Sequence, residues 1–471
     1  MFVKILVLYM VGLVVSEEYC YFNSPCNYEL FSSKTPYDSV RGDIRNAKVL
    51  PGCKPVGVWS LIRHGNRNPG DSVTKNIKAL YEKLVVEIRK QFEEKTNVHC
   101  IQDIENCANS RWNSTLEVAT SDLTGIGYEE IFYIGKRIRQ TFTDVMSFSN
   151  DSFYFRSTNE QRTITSTIAF IHGLTDGSGL NLDNNIDKPW EQDDVIRPYQ
   201  NCTIYQKEVK TGQVLDDEMA AYYSSAELLA VRDRVQKRLN INYQITAEEL
   251  YYLYEYCRFH RTWSPNLRDP WCAFFLQEDL EVLEYRDDVR HYYRNGYGSK
   301  ININLGSAAL KDLYNNFEAL TSTGREKFIA YFTHDTMIEM TICALGLYKD
   351  AKPLRGSFRD VNRLWRTSLM SSFSANIIAV LCNELNETHR VQFFLNEKNT
   401  NICPEDGCTW EQFVNKFQVY SNSSIEICSD NEYDFHQTSS GYIHFTMKLL
   451  ILISILVTFR FYFNWHISQN S

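Results

Sequence analysis

Short apolar runs alternate with longer stretches of helical periodicity along most of this chain. Between the runs, apolar residues recur at helical spacing, as from Ile77 to Phe92, which is typical of helices that cover a sheet. The runs have the length and composition of strands and lie at residues 56–60, 152–155, 328–332, 375–382 and 391–395. The alternation predicts an α/β fold with a mostly parallel sheet flanked by helices.

A polar segment, residues 181–296, interrupts this alternation. Its sequence contains a capping box at 246–249 before a helical stretch, and a second amphipathic stretch that ends near Gly296. We therefore predict an inserted, mainly α-helical cap, because 471 residues exceed the usual size of one core. The predicted divisions are a signal peptide (1–16), a first part of the α/β domain (17–180), the cap (181–296), a second part (297–425) and a C-terminal tail (426–471).

Both ends of the chain carry apolar segments. Residues 1–15 have the charge and apolar run of a secretory signal, with cleavage expected near Ser16. The C-terminal run 449–459 predicts membrane attachment, either by a GPI anchor added within 422–441 or by a single helix from about Tyr442. A buried tail helix is the third interpretation. We expect the protein at the extracellular face of the membrane or secreted, with the endoplasmic reticulum lumen and lysosome as other compartments.

Cysteines and glycosylation motifs agree with that route. The chain has 13 cysteines, all beyond the signal, and an odd count leaves at least one thiol without an intramolecular partner. Cys257 with Cys272, and Cys403 with Cys408, are candidate disulfides, and Cys343 is the candidate free thiol. Glycosylation motifs begin at Asn113, Asn150, Asn201, Asn386 and Asn422.

The formal charge of −9 argues against a general nucleic-acid binder. On an acidic protein, a site for phosphate must be a local group of cations. The sequence holds one such group at 61–69, where His64 lies between Arg63 and Arg67 directly after the first apolar run. A histidine there would lie at the end of a buried strand, where α/β sheets place their ligands.

These residue types suit phosphate chemistry. The planar charges of Arg63 and Arg67 match phosphate oxygens, and the neutral imidazole of His64 can attack phosphorus to form a phosphohistidine. Gly65 would let a phosphate approach the backbone. The alternative is an Arg-His-Gly turn that arose by chance.

Arg63-His64-Gly65-x-Arg67-x-Pro69 resembles the RHGxRxP signature of the histidine acid phosphatases, branch 2 of the histidine phosphatase superfamily. Residues 123–127 resemble that family's LTxxG motif, 155–163 its RSTxxxRT motif and 332–335 its HD motif, in the same order. Four segments further resemble the multiple inositol polyphosphate phosphatase branch, namely 269–272, 282–285, 296–298 and 395–398.

The resemblance implies a histidine phosphatase fold and a role for each motif residue. His64 would be the nucleophile and Asp335 the proton donor to the leaving group. Phosphate would be bound by Arg63, Arg67, Arg156 and His334. For Arg162 we expect an internal ion pair, because buried arginines are usually paired. His334 and Asp335 have a second interpretation as the start of the following helix.

The resemblance also implies the substrate class. We expect a phosphomonoesterase acting on inositol polyphosphates, from inositol hexakisphosphate to lower forms, and on 2,3-bisphosphoglycerate, without a cofactor or metal. The branch commonly has His-Ala-Glu where this chain has His334-Asp335, which favours as alternative a broad acid phosphatase acting on small esters. A noncatalytic surface glycoprotein that binds anions is the alternative of another class. Candidate ligands for phosphates that are not cleaved are Lys188, Arg197, Arg258, Arg261 and Arg268.

Overall fold

The computed structural model describes residues 20–96, 100–264, 269–384 and 388–428. The predicted signal peptide, most of the C-terminal tail with its apolar run, Arg268 and the motif at Asn386 lie outside the described residues. Within the described ranges, none of the helices is both long enough and apolar enough to cross a membrane.

The predicted apolar runs all form strands of one seven-stranded sheet. The strands are β1 (Lys54–Arg63), β2 (Phe153–Ser157), β3 (Lys327–Thr333), β4 (Asn376–Asn383), β5 (His389–Leu395), β6 (Lys398–Asn399) and β7 (Cys408–Thr409). Their order is β2-β3-β1-β4-β5-β6, with β7 also pairing β5.

The sheet is mixed rather than mostly parallel. Strands β1, β2 and β3 are parallel, but β4 runs antiparallel to β1, and β5 antiparallel to β4. The short connection 384–388 explains why β5 runs antiparallel to β4, because a parallel neighbour would need a crossover of a dozen or more residues. Apolar patterning alone does not distinguish the two directions.

Helices cover both faces of this sheet, as predicted. They are α1 (Asp71–Glu94), α2 (Ile101–Asn109), α3 (Thr115–Val118), α4 (Gly125–Thr141), α5 (Gln161–Thr175), α6 (Gln213–Tyr223), α7 (Ala226–Leu239), α8 (Ala247–Trp263), α9 (Gln277–Asn295), α10 (Lys300–Thr323), α11 (Asp335–Ala344), α12 (Thr367–Met370) and α13 (Trp410–Phe417). Alternate β1 residues enter different cores: Trp59 and Leu61 pack in one, Val58 and Ile62 in the other.

The segment 181–296 contains α6 to α9, and both of its predicted helices are present as α8 and α9. The capping box at Thr246 and Glu249 forms as expected. A 3-10 turn, Pro198–Gln200, and a short π-helix, Tyr205–Val209, precede α6. The division of the chain into domains stays a prediction.

The structure contains five disulfides, and both predicted pairs, Cys257–Cys272 and Cys403–Cys408, are among them. The others are Cys20–Cys100, Cys53–Cys382 and Cys202–Cys428. Cys26, Cys107 and Cys343 are free thiols. The candidate Cys343 is buried in α11, as a small apolar side chain would be.

Candidate active site

Three parallel strands end at one edge of the sheet and bring the motif residues together there. His64 follows β1, and its backbone N–H donates to the Thr333 carbonyl at the end of β3, at 3.0 Å. Thr158 follows β2 and donates from its N–H to the Phe332 carbonyl at 3.1 Å. The rings of His64 and His334 consequently lie with their centroids 5.6 Å apart. Three of the sequence motifs, those that contain His64, Thr158 and His334, thus share a site.

Two glycines allow the turn after His64 to pack against the start of α4. A Cβ on Gly65 would lie 2.2 Å from the carbonyl oxygen of Gly127, and one on Gly127 would lie 2.1 Å from that of Asn66. Gly65 therefore serves a close approach of two backbones, which differs from the phosphate approach that we expected. The Thr124 N–H donates to the Asn66 carbonyl at 2.9 Å and fixes this contact.

A half-buried carboxylate, Glu130 of α4, supports the same turn from behind. It accepts hydrogen bonds from the Asn66 N–H at 2.9 Å and the Ser374 hydroxyl at 2.7 Å. The Ser374 N–H in turn donates to the His64 carbonyl at 3.1 Å. Burial raises the pKa of Glu130 to about 7, although these hydrogen bonds oppose the shift.

The His64 imidazole is held neutral with one nitrogen available. Burial, followed by the charges of Arg63 and Arg162, lowers the pKa of His64 well below its ordinary value. Its Nδ1 lies 2.9 Å from the Gly65 carbonyl, so Nδ1 carries the hydrogen and Nε2 keeps its lone pair. A neutral imidazole with a fixed tautomer is the form that attacks phosphorus.

A cavity of about 400 Å³ opens in front of His64. It is lined by His64, Arg67, Arg162, Arg197, Tyr199, Gln200, Tyr205, Gln206, Lys210, Arg294, His334, Asp335 and Thr336. We call His64, Arg67, Arg162, His334 and Asp335 the histidine wall, and Arg197, Lys210 and Arg294 the outer wall. Among the described residues that line the cavity, Asp335 is the only carboxylate, against five cationic side chains.

The cations of the cavity repel one another. Burial, together with the charges of Arg162 and Arg63, lowers the pKa of Arg67 to about 10. Four of the described arginines line the cavity, Arg67, Arg162, Arg197 and Arg294, and each has a buried Nε without a hydrogen-bond partner. Crowded, partly unsatisfied donors of one sign favour a ligand with several negative charges.

Arg63 lies beneath the cavity rather than in its lining. Its side chain is 1% exposed and donates to the carbonyls of Ser33 and Ser371, the latter at 2.8 Å. Its Nη2 is 3.3 Å from Oδ2 of Asp335. In this arrangement Arg63 orients Asp335 and adds positive charge behind His64.

His334 is the residue before α11 and Asp335 is its first residue, and both also line the cavity. The His334 side chain makes no capping hydrogen bond, and the roles of the pair in phosphate binding and proton donation stay predictions. His334 Nε2 lies 3.0 Å from the Thr158 hydroxyl, and its Nδ1 lies 3.4 Å from Nη2 of Arg162. Burial by itself would raise the pKa of Asp335, but the positive charges led by Arg63 and His291 hold it well below its ordinary value.

Of the two arginines of the 155–163 motif, Arg156 does not lie where we expected, whereas Arg162 forms the expected ion pair and also lines the cavity. Arg156 pairs with Asp193, from Nε to Oδ2 at 3.0 Å, is 3% exposed and lies against the ring of Trp190. It does not line the cavity. Arg162 lies at the cavity and pairs with Glu160 at 3.4 Å, in addition to its contact with His334. Arg156 is part of strand β2 and its side chain lies on the face that carries Tyr331, whereas Arg162 opens α5 at the sheet edge.

Of the three residues of the outer wall, only Arg197 was predicted from the sequence. Arg197 lines the cavity, but Lys188 does not. Arg258 forms ion pairs with Glu255 and Asp287, and Arg261 donates to the Cys26 carbonyl at 2.8 Å. The missed residues are Lys210 and Arg294. Arg286, Arg290 and Arg294 are spaced by four residues, so they lie on one face of α9. This spacing is the sequence pattern that could have indicated a basic surface there.

One group of potential metal ligands is found in the described part of the chain, formed by Cys20, Cys100 and Asp103. Cys20 and Cys100 are joined in a disulfide, and none of the three lines the cavity. Thiols in a disulfide are not free to bind a metal ion, so this group does not fit one.

Comparisons with known proteins agree with this geometry. The sequence profile of the histidine phosphatase superfamily (branch 2) matches residues 56–396. A multiple inositol polyphosphate phosphatase 1 of Drosophila melanogaster is 29% identical over 89% of this chain and 92% of its own length. The protein of the same name from Gallus gallus is 23% identical over 80% of this chain and 84% of its own.

Solved structures show the same fold. A phytase from D. castellii superposes with a TM-score of 0.69 at 19% identity, covering 87% of this chain and 90% of that one. The Bifidobacterium longum multiple inositol polyphosphate phosphatase, in complex with inositol hexasulfate, gives a TM-score of 0.60 at 14% identity, covering 79% and 92%.

Proposed function

The chain belongs to branch 2 of the histidine phosphatase superfamily, and on that basis we propose that it removes phosphate from inositol polyphosphates, including inositol hexakisphosphate and its lower forms. The enzyme class is that of phosphoric monoester hydrolases. The noncatalytic alternative is set aside, because His64 has the burial, tautomer and neighbours of a nucleophile.

The cationic side chains that line the cavity are the observation that supports the proposed substrate. One phosphate bound at His64 would be matched by Arg67 and Arg162 of the histidine wall. Arg197, Lys210 and Arg294 add three more cations around the same space. A compact ring with several phosphates supplies counter-charges to both walls at once, whereas a monophosphate leaves the outer wall unused.

The reaction follows from the positions of the side chains. Nε2 of His64 attacks phosphorus while Arg67 and Arg162 offset the charge that spreads over the phosphoryl oxygens. Asp335 gives a proton to the departing alkoxide, which leaves poorly without one. The negative charge of the bound substrate raises the pKa of Asp335 and so favours its protonated form. Water then hydrolyses the phosphohistidine.

A broad acid phosphatase acting on small esters is the second candidate. The observation that favours it is the pair His334-Asp335, which replaces the His-Ala-Glu common in the inositol polyphosphate branch. In that case the outer wall would contribute little to turnover, and 2,3-bisphosphoglycerate would be used no better than other small esters.

Phosphate release from inositol hexakisphosphate and from 4-nitrophenyl phosphate, for the wild type and His64→Ala, tests the proposal. We expect a higher kcat/KM for the inositol substrate, with release from both lost in His64→Ala. A higher kcat/KM for the aryl ester would support the broad phosphatase, and release that persists in His64→Ala would contradict the phosphohistidine.

The protein is further proposed to be a glycoprotein of the secretory pathway. Five disulfides and the exposure of Asn113, Asn150, Asn201 and Asn422 support this route. Attachment to the outer face of the membrane by a GPI anchor, with a single helix as the alternative, is a proposal from the sequence of the tail. Phosphatidylinositol-specific phospholipase C should release the protein from intact cells, and retention after treatment would favour the helix.

A further inference from the structure

A loop between α11 and α12, residues 346–366, presents large apolar side chains to solvent. Phe358 is 71% exposed, Val361 61% and Leu364 54%. Successive Cα atoms lie about 3.8 Å apart, so neighbouring members of this set are separated by no more than about 11 Å. Single exposed apolar residues are ordinary on a protein surface, but three so close together indicate an interaction surface.

The arginines of the same loop point the other way. Arg359 pairs with Glu227 of α7 at 3.1 Å, and its side chain is 14% exposed. Arg363 is buried and donates from Nε to Asp288 of α9 at 2.7 Å. Charged side chains thus hold the loop to the helices while apolar side chains face solvent, which is the reverse of ordinary surface patterning.

Hydrogen bonds fix the backbone of the loop. The Tyr285 hydroxyl lies 2.8 Å from the Arg355 carbonyl oxygen and 2.9 Å from that of Phe358. The Asp350 carboxylate accepts from the N–H of Leu364 at 2.6 Å. The outward direction of the apolar side chains is therefore part of an ordered structure.

Exposed cations lie in the same loop. Lys349 and Lys352 are exposed, and neither forms a salt bridge within the described residues, whereas Arg355 pairs with Glu218 at 2.7 Å. Exposed lysines beside apolar side chains are typical of segments that lie on a phospholipid surface. There the apolar side chains enter the headgroup layer and the lysines bind lipid phosphates.

The last described residues place the start of the tail near this loop. The Tyr420 hydroxyl donates to the carbonyl of Ala344 at 2.7 Å, at the end of α11, just before the loop begins. Cys428 is joined to Cys202, and the segment after Cys202 leads into α6. Glu218 of α6 accepts a hydrogen bond from the loop at 2.7 Å. The tail and the loop thus approach a common surface.

We propose that the 346–366 loop rests on a phospholipid membrane, with Phe358, Val361 and Leu364 in the headgroup layer and its two exposed lysines on lipid phosphates. The tail, whose run 449–459 is predicted to attach to the same membrane, keeps the loop there. A second copy of the chain suits this surface less, because a two-fold contact would bring the lysines of both copies together. The inference rests on the proposed membrane attachment and not on the proposed substrate.

Quenching of tryptophan emission by brominated lipid tests the contact. The full chain carrying Phe358→Trp would be reconstituted into vesicles of phosphatidylcholine and phosphatidylserine in equal parts, with or without bromine on the phosphatidylcholine acyl chains. The wild type gives the background of the eight native tryptophans. We expect bromine to lower the additional emission of Phe358→Trp at least about twofold, because the apolar side chain lies at the boundary of headgroups and acyl chains.

Tyr133→Trp is the matched control for position. Tyr133 is 49% exposed on α4, and α4 packs with Val58 and Ile62 on the other face of the sheet. Bromine should leave the additional emission of Tyr133→Trp unchanged. Equal quenching at both positions would overturn the inference, because the protein would then have no preferred face toward the membrane.

A second pair of variants tests the lysines. In the Phe358→Trp protein, changing Lys349 and Lys352 to Gln should lower by about twofold the salt concentration at which half of the quenching is lost, because salt screens their contacts with phosphate. Changing Lys54 and Lys90 to Gln removes two exposed charges from other elements, β1 and α1, and should leave that concentration in place. No shift, or the same shift in both variants, would overturn the role of the loop lysines.

The remaining outcomes distinguish the occupants of the surface. Unquenched emission of Phe358→Trp in vesicles that retain the protein would overturn the inference and leave the attachment of the tail intact. A protein that does not associate with the vesicles would contradict both. Blue-shifted emission that needs no vesicles and is insensitive to bromine would overturn the inference in favour of the tail or a second copy, which sedimentation equilibrium distinguishes.

Hydrolysis of inositol hexakisphosphate is a separate measurement. None of the residues changed in these variants lines the cavity, so turnover in detergent should match the wild type. A wild type that does not cleave the inositol substrate would remove the proposed substrate and leave the membrane contact to be decided by quenching.

Discussion

The two walls of the cavity differ in how they are built. Residues of the histidine wall follow strand ends or open helices at the sheet edge, and backbone hydrogen bonds connect their turns, as between His64 and Thr333. The outer wall comes from the segment 197–210 and from α9, outside the sheet. A wall fixed by the sheet suits a reaction that needs exact geometry. A wall on helices and turns can change its charges without moving the nucleophile, which suits selection among substrates.

Removing the nucleophile should distinguish most clearly the contribution of the histidine wall to turnover from the contribution of both walls to binding. His64→Ala should lower kcat at least about 10⁴-fold for every phosphate ester, since the other neutral imidazole at the cavity, His334, has its ring nitrogens against Thr158 and Arg162. Binding of inositol hexakisphosphate should persist because both sets of cations remain. Steady-state turnover and calorimetric titration measure the two effects. Loss of binding to the same extent as turnover would show that the walls do not act separately.

Asp335→Asn should distinguish substrates by leaving group rather than by number of phosphates. Without a proton donor, kcat for alkyl phosphates such as inositol hexakisphosphate and glycerol 2-phosphate should fall by about 10²- to 10⁴-fold. Turnover of 4-nitrophenyl phosphate should fall much less. An equal loss for all three esters in stopped assays would argue for a purely structural role of Asp335.

Arg162 and Arg156 provide a matched pair from one motif. Arg162→Ala should lower kcat/KM by about 10²-fold, because it removes a cation from the histidine wall. Arg156→Ala should mainly lower the free energy of unfolding, by about 3 kcal/mol, because it leaves buried Asp193 unpaired. Kinetics and denaturant unfolding on both variants measure this. The reverse result would restore the phosphate-binding role that the family resemblance implied for Arg156.

The stability of the folded protein should depend on pH through Glu130, which supports the turn behind the histidine wall. Its pKa in the folded protein is raised to about 7 by burial, above the ordinary 4.5. The stability from its protonated form is therefore complete below about pH 4.5 and is lost as the pH rises toward 7, by on the order of 3 kcal/mol. Glu130→Gln should flatten this decline in Tm between pH 4.5 and 7.5. An unchanged slope would show that Glu130 does not titrate there.

The sequence predicted the parts of the site that are contiguous in the chain. His64, Arg67, His334 and Asp335 all lie at strand ends, and apolar runs identify strand ends directly. Side-chain direction was harder, since Arg156 lies within a strand and its partner Asp193 comes from a distant loop. Lys210 and Arg294 meet at the cavity only through the packing of helices, which periodicity does not specify. The direction of β5 relative to β4 depended on a connection too short for a crossover.

Changing the outer wall is the most direct test of the claim that the histidine wall performs the reaction and the outer wall selects the substrate. We would measure kcat/KM for inositol hexakisphosphate and 4-nitrophenyl phosphate in the wild type and in a variant with Arg197, Lys210 and Arg294 all changed to Gln. The account predicts a loss of about 10²-fold or more for the inositol substrate, mainly through KM, and little change for the aryl ester. Equal losses for both substrates, or no loss for inositol hexakisphosphate, would contradict it.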